Sequence, residues 1–571
     1  MKKILLKSFA LLMALAVSVM LMTGCGSKNT ADTVIKGTVY TVDENETAAE
    51  AVAVKDGKIT YVGDAAGVEE FIGDDTEIIE TGDGIAMPSF TEAHAHGIQG
   101  GYEGLYEALL YECESYDEYL DTMKEFMKDV PEGTAFVKGT GWINGYTPSG
   151  GPLAKDLDKV TGDIPTILVS GDHHAYWVNT ACLKEIGLLD TDEEIDGVVR
   201  DAQGNPTGLL QETAIHIVDE AIPDYTVEQY KEAILVYQQE AVSYGITAYF
   251  EPMVNLNGSE NMLKAYNELD DEGKLLINVY GGYQVLPGDD IDEFVDTVTA
   301  AKEEAAGGMF EILAVKILTD GVVEGHTAYL LEDYADDKGD RGKPEFDDEY
   351  LKELYLKLQN AGMQIHAHCI GDAAVRQTVD ALEYVAEQTG KTDCRHALTH
   401  LQVVNKDDIN RMGELNIVAV TNPYWFEKEP GYFYEVEVPY LGEKRANNEY
   451  PQKDFFDAGC VVTTGSDYPV TIPPAPLAAI QIGATRCWLD GDKDTLLGKD
   501  QIVTVAQMVK SATYNGAYQN FAEEKTGSIE VGKNADIIIL DKDIMNIDPL
   551  EISNTKVLRT ILNGSDVYTA K

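Results

Sequence analysis

Apolar and polar positions along this chain of 571 residues fall into distinct textures. TVIKGTVYTVD, AAEAVAVKDGKITYVGD and TEIIETGDGIAMPSF are rich in β-branched residues and broken by Gly and Asp turns, which predicts short strands over 34–88. The same texture returns in KTGSIEVGKNADIIILD and KVLRTILNGSDVYTAK, over 526–571. Two β-rich ends around a long middle predict one small β-sandwich built from both termini. The middle, 89–525, alternates short apolar runs with longer amphipathic stretches such as TVEQYKEAILVYQQEAVSYG. That alternation predicts βα units, a parallel sheet and the α/β class.

The first residues break this pattern. Lys2, Lys3 and Lys7 precede the apolar run SFALLMALAVSVMLM, too short and wrongly placed for a membrane span, and TGC follows. The succession resembles a bacterial lipoprotein signal. That resemblance implies a signal peptide over 1–24, a lipid on the Cys25 thiol, a tether over 25–33, and an exported protein anchored at the extracytoplasmic face of the cell membrane.

With 43 basic and 99 acidic residues the formal net charge is −56. Such a charge opposes binding to nucleic acid or to anionic lipid surfaces, so contact with a membrane is expected only through the anchor. Of seven cysteines, the six beyond Cys25 are widely spaced and lack CxxC; export permits disulfides, but the spacing names no pair.

The candidate chemistry sits at the ends of apolar runs. PSFTEAHAHG places His94 and His96 two apart, and on a strand such residues share a face. EILAVKILTDG carries Lys316, GMQIHAHCIGD carries His366 and His368, RHALTHLQ ends at His400, and GCVVTTGSDYP ends at Asp467. Five strand-like runs thus each carry a metal-ligating or ionisable group near the C-terminal end. A (β/α)8 barrel builds its active site from such ends.

The order HxH, Lys, His, His, Asp resembles the amidohydrolase superfamily, and more narrowly amidohydrolase family 3, the branch with N-substituted formamide deformylases. MPSFTEAHAHG, VNTACLKEIGL, GNPTGLLQE, HCIGDAAV, TTGSDYPV and GSIEVGKNADIIILD carry the likeness. It implies a distorted TIM barrel beside the small β-sandwich, with an insertion at about 100–210. It also implies two divalent metal ions, zinc first, held by His94, His96, Lys316, His368, His400 and Asp467. Lys316 matches a lysine that becomes a carbamate bridge, and Asp467 matches the catalytic proton shuttle. Glu92, Ser89 and Thr399 depart from the usual pattern, which bears on substrate more than on metal.

The resemblance also points to His174 and Asn179 in the insertion as substrate contacts. His326, just past the Lys316 run, is a further candidate. His366 reads as a supporting residue, His396 as a core histidine and Arg486 as a structural ion-pair partner. The expected activity is hydrolysis of an amide-type C–N bond, other than a peptide bond, in a small molecule by a metal-activated hydroxide; a homodimer stays open. The alternatives are a mononuclear deaminase of the same superfamily, disfavoured because Gly371 stands where HxxE needs an acid, and a solute-binding lipoprotein.

Overall fold

The computed structural model describes residues 30–571, apart from 132, 172–174, 192–193, 212–213 and 220. The chain divides into two units, and both ends contribute to the smaller, which takes in the chain up to Ser89, Glu524–Asp543 and Lys556–Lys571. Its strands form one connected eight-stranded sheet. Ile85–Pro88 from the N-terminal part pairs antiparallel with Ile537–Leu540 from the C-terminal part. The two-residue period is visible in the burial. Ile35, Val52 and Val54 pack into one apolar cluster, whereas Val34, Ala51 and Ala53 pack into another. Alternation points these sets to opposite faces, so both faces of the sheet are covered. The β-rich textures of the two chain ends thus belong to one small unit.

The larger unit contains eight parallel strands: β1 (Phe90–Glu92), β2 (Ile246–Glu251), β3 (Asn278–Gln284), β4 (Phe310–Leu318), β5 (Gln364–Cys369), β6 (Ala397–His400), β7 (Val418–Thr421) and β8 (Val462–Thr464). They pair in that order, each with the next, all in parallel. The ring is drawn together where β1 meets β8, through the Ala93 N–H donating to the Thr464 carbonyl at 3.0 Å. All residues of β2, β6 and β7 are buried. Strands covered on both faces read as continuous apolar runs, as ITAYFE and VAVT do.

The segment between β1 and β2 holds a sheet of its own. Six strands run in the spatial order Val198–Arg200, Pro206–Gln211, Ala175–Val178, Thr166–Ser170, Val137–Trp142 and Ala108–Leu109. Trp142, Trp177, Leu157, Leu168 and Tyr119 form its core. Helix Gly97–Tyr106 leads out of β1 and packs closely on helix Val227–Ser243, which leads into β2. At Gly101 an added Cβ would stand 2.2 Å from the Ala233 carbonyl oxygen, so only glycine permits this approach.

Candidate metal centre

The end of β1 and the turn after β8 bring three donors together. The ligand atoms of His94, His96 and Asp467 all lie within 4.8 Å of one another. Nε2 of His94 and Nε2 of His96 are each 3.3 Å from Asp467 Oδ1. Lys316, inside β4, is buried with its Nζ 3.3 Å from His94 Nε2. His400, ending β6, places Nδ1 4.0 Å from Asp467 Oδ2 and its ring 5.2 Å from that of His94. The His368 ring lies 4.6 Å from that of His400. Three donors thus converge on one point, with Lys316 and His400 beside them and His368 next to His400.

Backbone geometry aims two of them. His400 has φ +73 and Asp467 φ +57. Non-glycine residues in this left-handed region cost on the order of 1 kcal/mol each, and such strain concentrates at functional positions. Gly465 makes the approach possible, since a Cβ there would meet His94 Cβ at 2.8 Å.

A surrounding layer orients the ligands. Glu92 Oε1 accepts the N–H groups of His94 at 3.1 Å and Ser466 at 2.9 Å, tying the ends of β1 and β8. His366 lies under His94, Nε2 to Nδ1 at 2.8 Å, and stacks on Phe250 at 4.3 Å. Asn422 Oδ1 is 3.1 Å from His400 Nδ1. Asp320 accepts N–H groups from Tyr329, Ile370 and Gly371, and its Oδ1 is 3.7 Å from His368 Nε2. Such outer groups fix ring orientation in metal sites.

The electrostatics suit a cation. Burial, reinforced by Lys316, holds His94 down at about 3, and burial holds His400 well below the usual imidazole range. Burial thus favours in both rings the neutral form that a metal ligand needs. Burial works against ionisation of Asp467, but His400, His94 and His96 outweigh it and hold the carboxyl well below its ordinary value. Burial lowers Lys316 to about 8. Imidazoles around a carboxylate form a donor set that fits a divalent ion.

Two of the remaining expected site residues, Asn179 and His326, are engaged by other partners. Asn179 is fully buried and caps helix Thr180–Glu185. Its Oδ1 accepts the N–H groups of Cys182 at 2.8 Å and Thr166 at 3.0 Å, and its Nδ2 donates to Thr161 Oγ1 at 3.0 Å and the Ile164 carbonyl at 2.8 Å. With the amide so committed, the expected substrate contact gives way to a structural role. His326 stacks on Tyr334 at 4.4 Å, with Nε2 3.3 Å from Asp336 and Nδ1 3.6 Å from Asp340. Its ring is held by acids of the loop it belongs to. His174 lies outside the described residues, as does Cys25.

Glu92, Asn422 and Asp320 were not anticipated in these roles. Glu92 had only the signal of standing where aspartate is usual. Arg486 also differs from expectation. Its guanidinium donates to the main-chain carbonyls of Leu497, Tyr450 and Glu449 at 2.8, 3.1 and 3.2 Å.

A parallel eight-stranded barrel with His, Lys and Asp converging at its C-terminal rim defines a TIM-like α/β hydrolase. Residues 77–568 match the amidohydrolase family, and the chain belongs to its family 3. It is 28% identical to a putative amidohydrolase of Bacillus subtilis, over 93% of this chain and 98% of that one. It is 26% identical to the N-substituted formamide deformylase of Arthrobacter pascens, over 93% and 97%. Among solved structures it resembles an uncharacterised metal-dependent hydrolase of Pyrococcus horikoshii, with a TM-score of 0.73 and 24% identity over 90% of this chain and 99% of that one.

Proposed function

We propose that the protein hydrolyses an amide-type C–N bond, other than a peptide bond, in a small molecule. One observation carries this reading: three donor atoms within 4.8 Å, with the Lys316 amine 3.3 Å from one of them. His94, His96, Lys316, His368, His400 and Asp467 would hold two divalent ions, zinc by the preference of these donors. Bound metal supplies Lewis acidity, which polarises a carbonyl and acidifies water. The protein's own groups supply the rest. Asp467, ionised and hydrogen-bonded to two imidazoles, takes a proton from the attacking water and gives it to the departing nitrogen. The C–N bond breaks, and a carboxylic acid and an amine leave. The free amine of Lys316 would take up carbon dioxide as a carbamate, releasing a proton and replacing a repelling ammonium with an anionic oxygen donor. Burial favours this by enriching the free amine.

A deaminase reading finds less support. The position three residues after His368 is Gly371, where a Cβ would stand 2.0 Å from the Tyr329 carbonyl oxygen. No acid fits there. Relatives described as 5-methylthioadenosine/S-adenosylhomocysteine deaminases align with only 38% and 34% of this chain.

The test is elemental analysis of protein purified without chelator, with turnover of an N-substituted formamide panel. At least one metal per chain and release of amine are expected. Intact protein that takes up no zinc and releases no amine would overturn the reading. We place the protein outside the cell on a lipid at Cys25; no helix among the described residues is long and apolar enough to cross a membrane.

A further inference from the structure

Beside the centre lies a second group of ionisable side chains that this mechanism does not use. Gln402, two residues past His400, is buried, and its Nε2 donates to Glu437 Oε1 at 3.2 Å and to Glu449 Oε1 at 2.6 Å. Glu449 is fully buried and Glu437 is 4% exposed. Glu437 closes a π-helical turn, Phe433–Glu437, a rare element that recurs at functional sites. Burial, with the charges of Glu324 and Glu427 added, raises the Glu437 carboxyl to about 8, and burial with the Glu437 charge raises Glu449 well above the usual carboxylate range. Tyr432 donates to Glu324 Oε2 at 2.6 Å. All these residues lie on excursions that follow β4, β6 and β7, the barrel end that carries the metal ligands.

Arg486 lies near one of these carboxyls, Glu449, and its guanidinium hydrogen bonds go elsewhere. The guanidinium of Arg486 is spent on main-chain carbonyls, as described above. Two buried acid oxygens, Glu449 Oε2 and Glu427 Oε2, have no hydrogen-bond donor. Buried carboxyls are costly to ionise, and these hold their protons more tightly than usual; a cation that arrives with N–H groups would offset that cost and release the proton. The walls are aromatic. Trp425 stacks on His400 at 5.7 Å and lies 6.5 Å from the Tyr450 ring. Trp425 is partly exposed while Tyr450 is buried, so the rings lead from the rim and the centre toward the acids. Aromatic faces beside carboxylates suit an organic cation, whereas a bare metal ion needs oxygen ligands on more sides.

We propose that Glu324, Glu427, Glu437 and Glu449, with Trp425 and Tyr450, form a subsite for a positively charged nitrogen group, an ammonium or guanidinium, carried by the substrate beside His400. The substrate class is then an amide whose amine or acyl part bears a cationic tail. This rests on the hydrolase reading above, but the subsite has a readout independent of turnover.

Calorimetry on the metal-loaded, full-length protein would use pentylammonium chloride and pentanol as probes. Pentylammonium should bind and pentanol should not. Glu449→Gln should weaken pentylammonium by about tenfold, the size of one charge-assisted hydrogen bond. Glu427→Gln, at a less buried carboxyl, serves as a second variant if Glu449→Gln fails to fold. Asp336→Asn, an acid outside the cluster, should leave the affinity as it is. Equal binding of both probes, no binding of pentylammonium, or affinities unmoved by either glutamine variant would each overturn the subsite. Kinetics then separate the two readings. Monoformylcadaverine should be turned over with a kcat/KM about tenfold above that of N-formylpentylamine, and the ratio should fall toward one in the variants. Turnover at equal rates overturns the subsite and leaves the hydrolase standing. Binding of pentylammonium with no amide turnover leaves the subsite standing and overturns the hydrolase.

Discussion

His94 and Asp467 are joined twice. The main-chain N–H of Asp467 donates to the His94 carbonyl at 2.8 Å, and Asp467 Oδ1 lies 3.3 Å from His94 Nε2. The two residues stand at opposite ends of the barrel sequence, and the backbone bond holds their side chains in register across the seam.

Gly465→Ala tests that register. The added Cβ would stand 2.8 Å from His94 Cβ and 3.0 Å from its nitrogen. The first ligand must move, and metal affinity should fall by about 10–100-fold, as when outer support of a ligand is lost. A zinc titration checks this; affinity equal to that of the parent would mean that the seam does not set the ligand.

Asp467→Asn keeps the shape and an acceptor oxygen but carries no proton. General acid–base catalysis contributes about 10²–10⁴-fold, so kcat should drop by roughly that factor, and further if metal is lost. Measuring kcat and metal content on the same sample separates shuttle from ligand. A folded variant with parental kcat would remove the shuttle role.

Lys316→Ala removes the amine that lies 3.3 Å from His94 Nε2. Activity and part of the bound metal should go, and acetate or propionate should restore some of both by occupying the vacated bridge. Full occupancy with unchanged turnover would leave Lys316 as a packing residue.

His396 sets part of the acid stability. Its Nδ1 accepts the Ile365 N–H at 3.1 Å, so Nε2 carries the proton and donates to Gln359 Oε1 at 2.9 Å. Burial holds the folded imidazole at about 4 against 6.5. Between these values the unfolded chain binds the extra proton. The contribution, on the order of 3 kcal/mol, is therefore full above about pH 6.5 and is lost as pH falls to about 4. His396→Asn should flatten that fall. Buried acids such as Glu251, raised to about 8, act with the opposite sign, so the readout is the difference in Tm between variant and parent at each pH. Parallel curves would show that His396 does not titrate with unfolding.

On the proposal that a lipid at Cys25 anchors the protein, Cys25→Ser should move it from the membrane fraction to the soluble one. A single acyl chain holds only marginally, and two or more hold stably. A variant still wholly in the membrane fraction would exclude the lipid at this residue.

The centre was legible because strand ends announce themselves. An apolar run followed by histidine or aspartate marks where a barrel strand meets its rim, and the alternation in HAH put both rings on one side. His366 was also legible, by the same alternation, as support for the shell. Asn179 was not, because an asparagine before a helix looks the same whether it caps that helix or faces a ligand; only its hydrogen bonds distinguish the two. The inserted sheet was hidden by short strands, Ala108–Leu109 and Val198–Arg200 among them, too brief for a two-residue period to show. The acid cluster beside His400 draws on excursions after three strands, and no local pattern links Glu324 to Glu449.

The inserted sheet bears on how the barrel comes to exist. β1 and β2 are hydrogen-bonded neighbours, with Phe90 opposite Ile246. Between them runs an excursion of about 150 residues, whose closure as a flexible loop would cost about 4 kcal/mol before any constant term. Folded first, with Trp142 and Trp177 in its own core, the excursion becomes a short rigid connection and most of that entropy is already gone. Its collapse would then come first in time, and the barrel's opening strand pair, with both histidines of HAH, waits on a structure that is not itself part of the barrel.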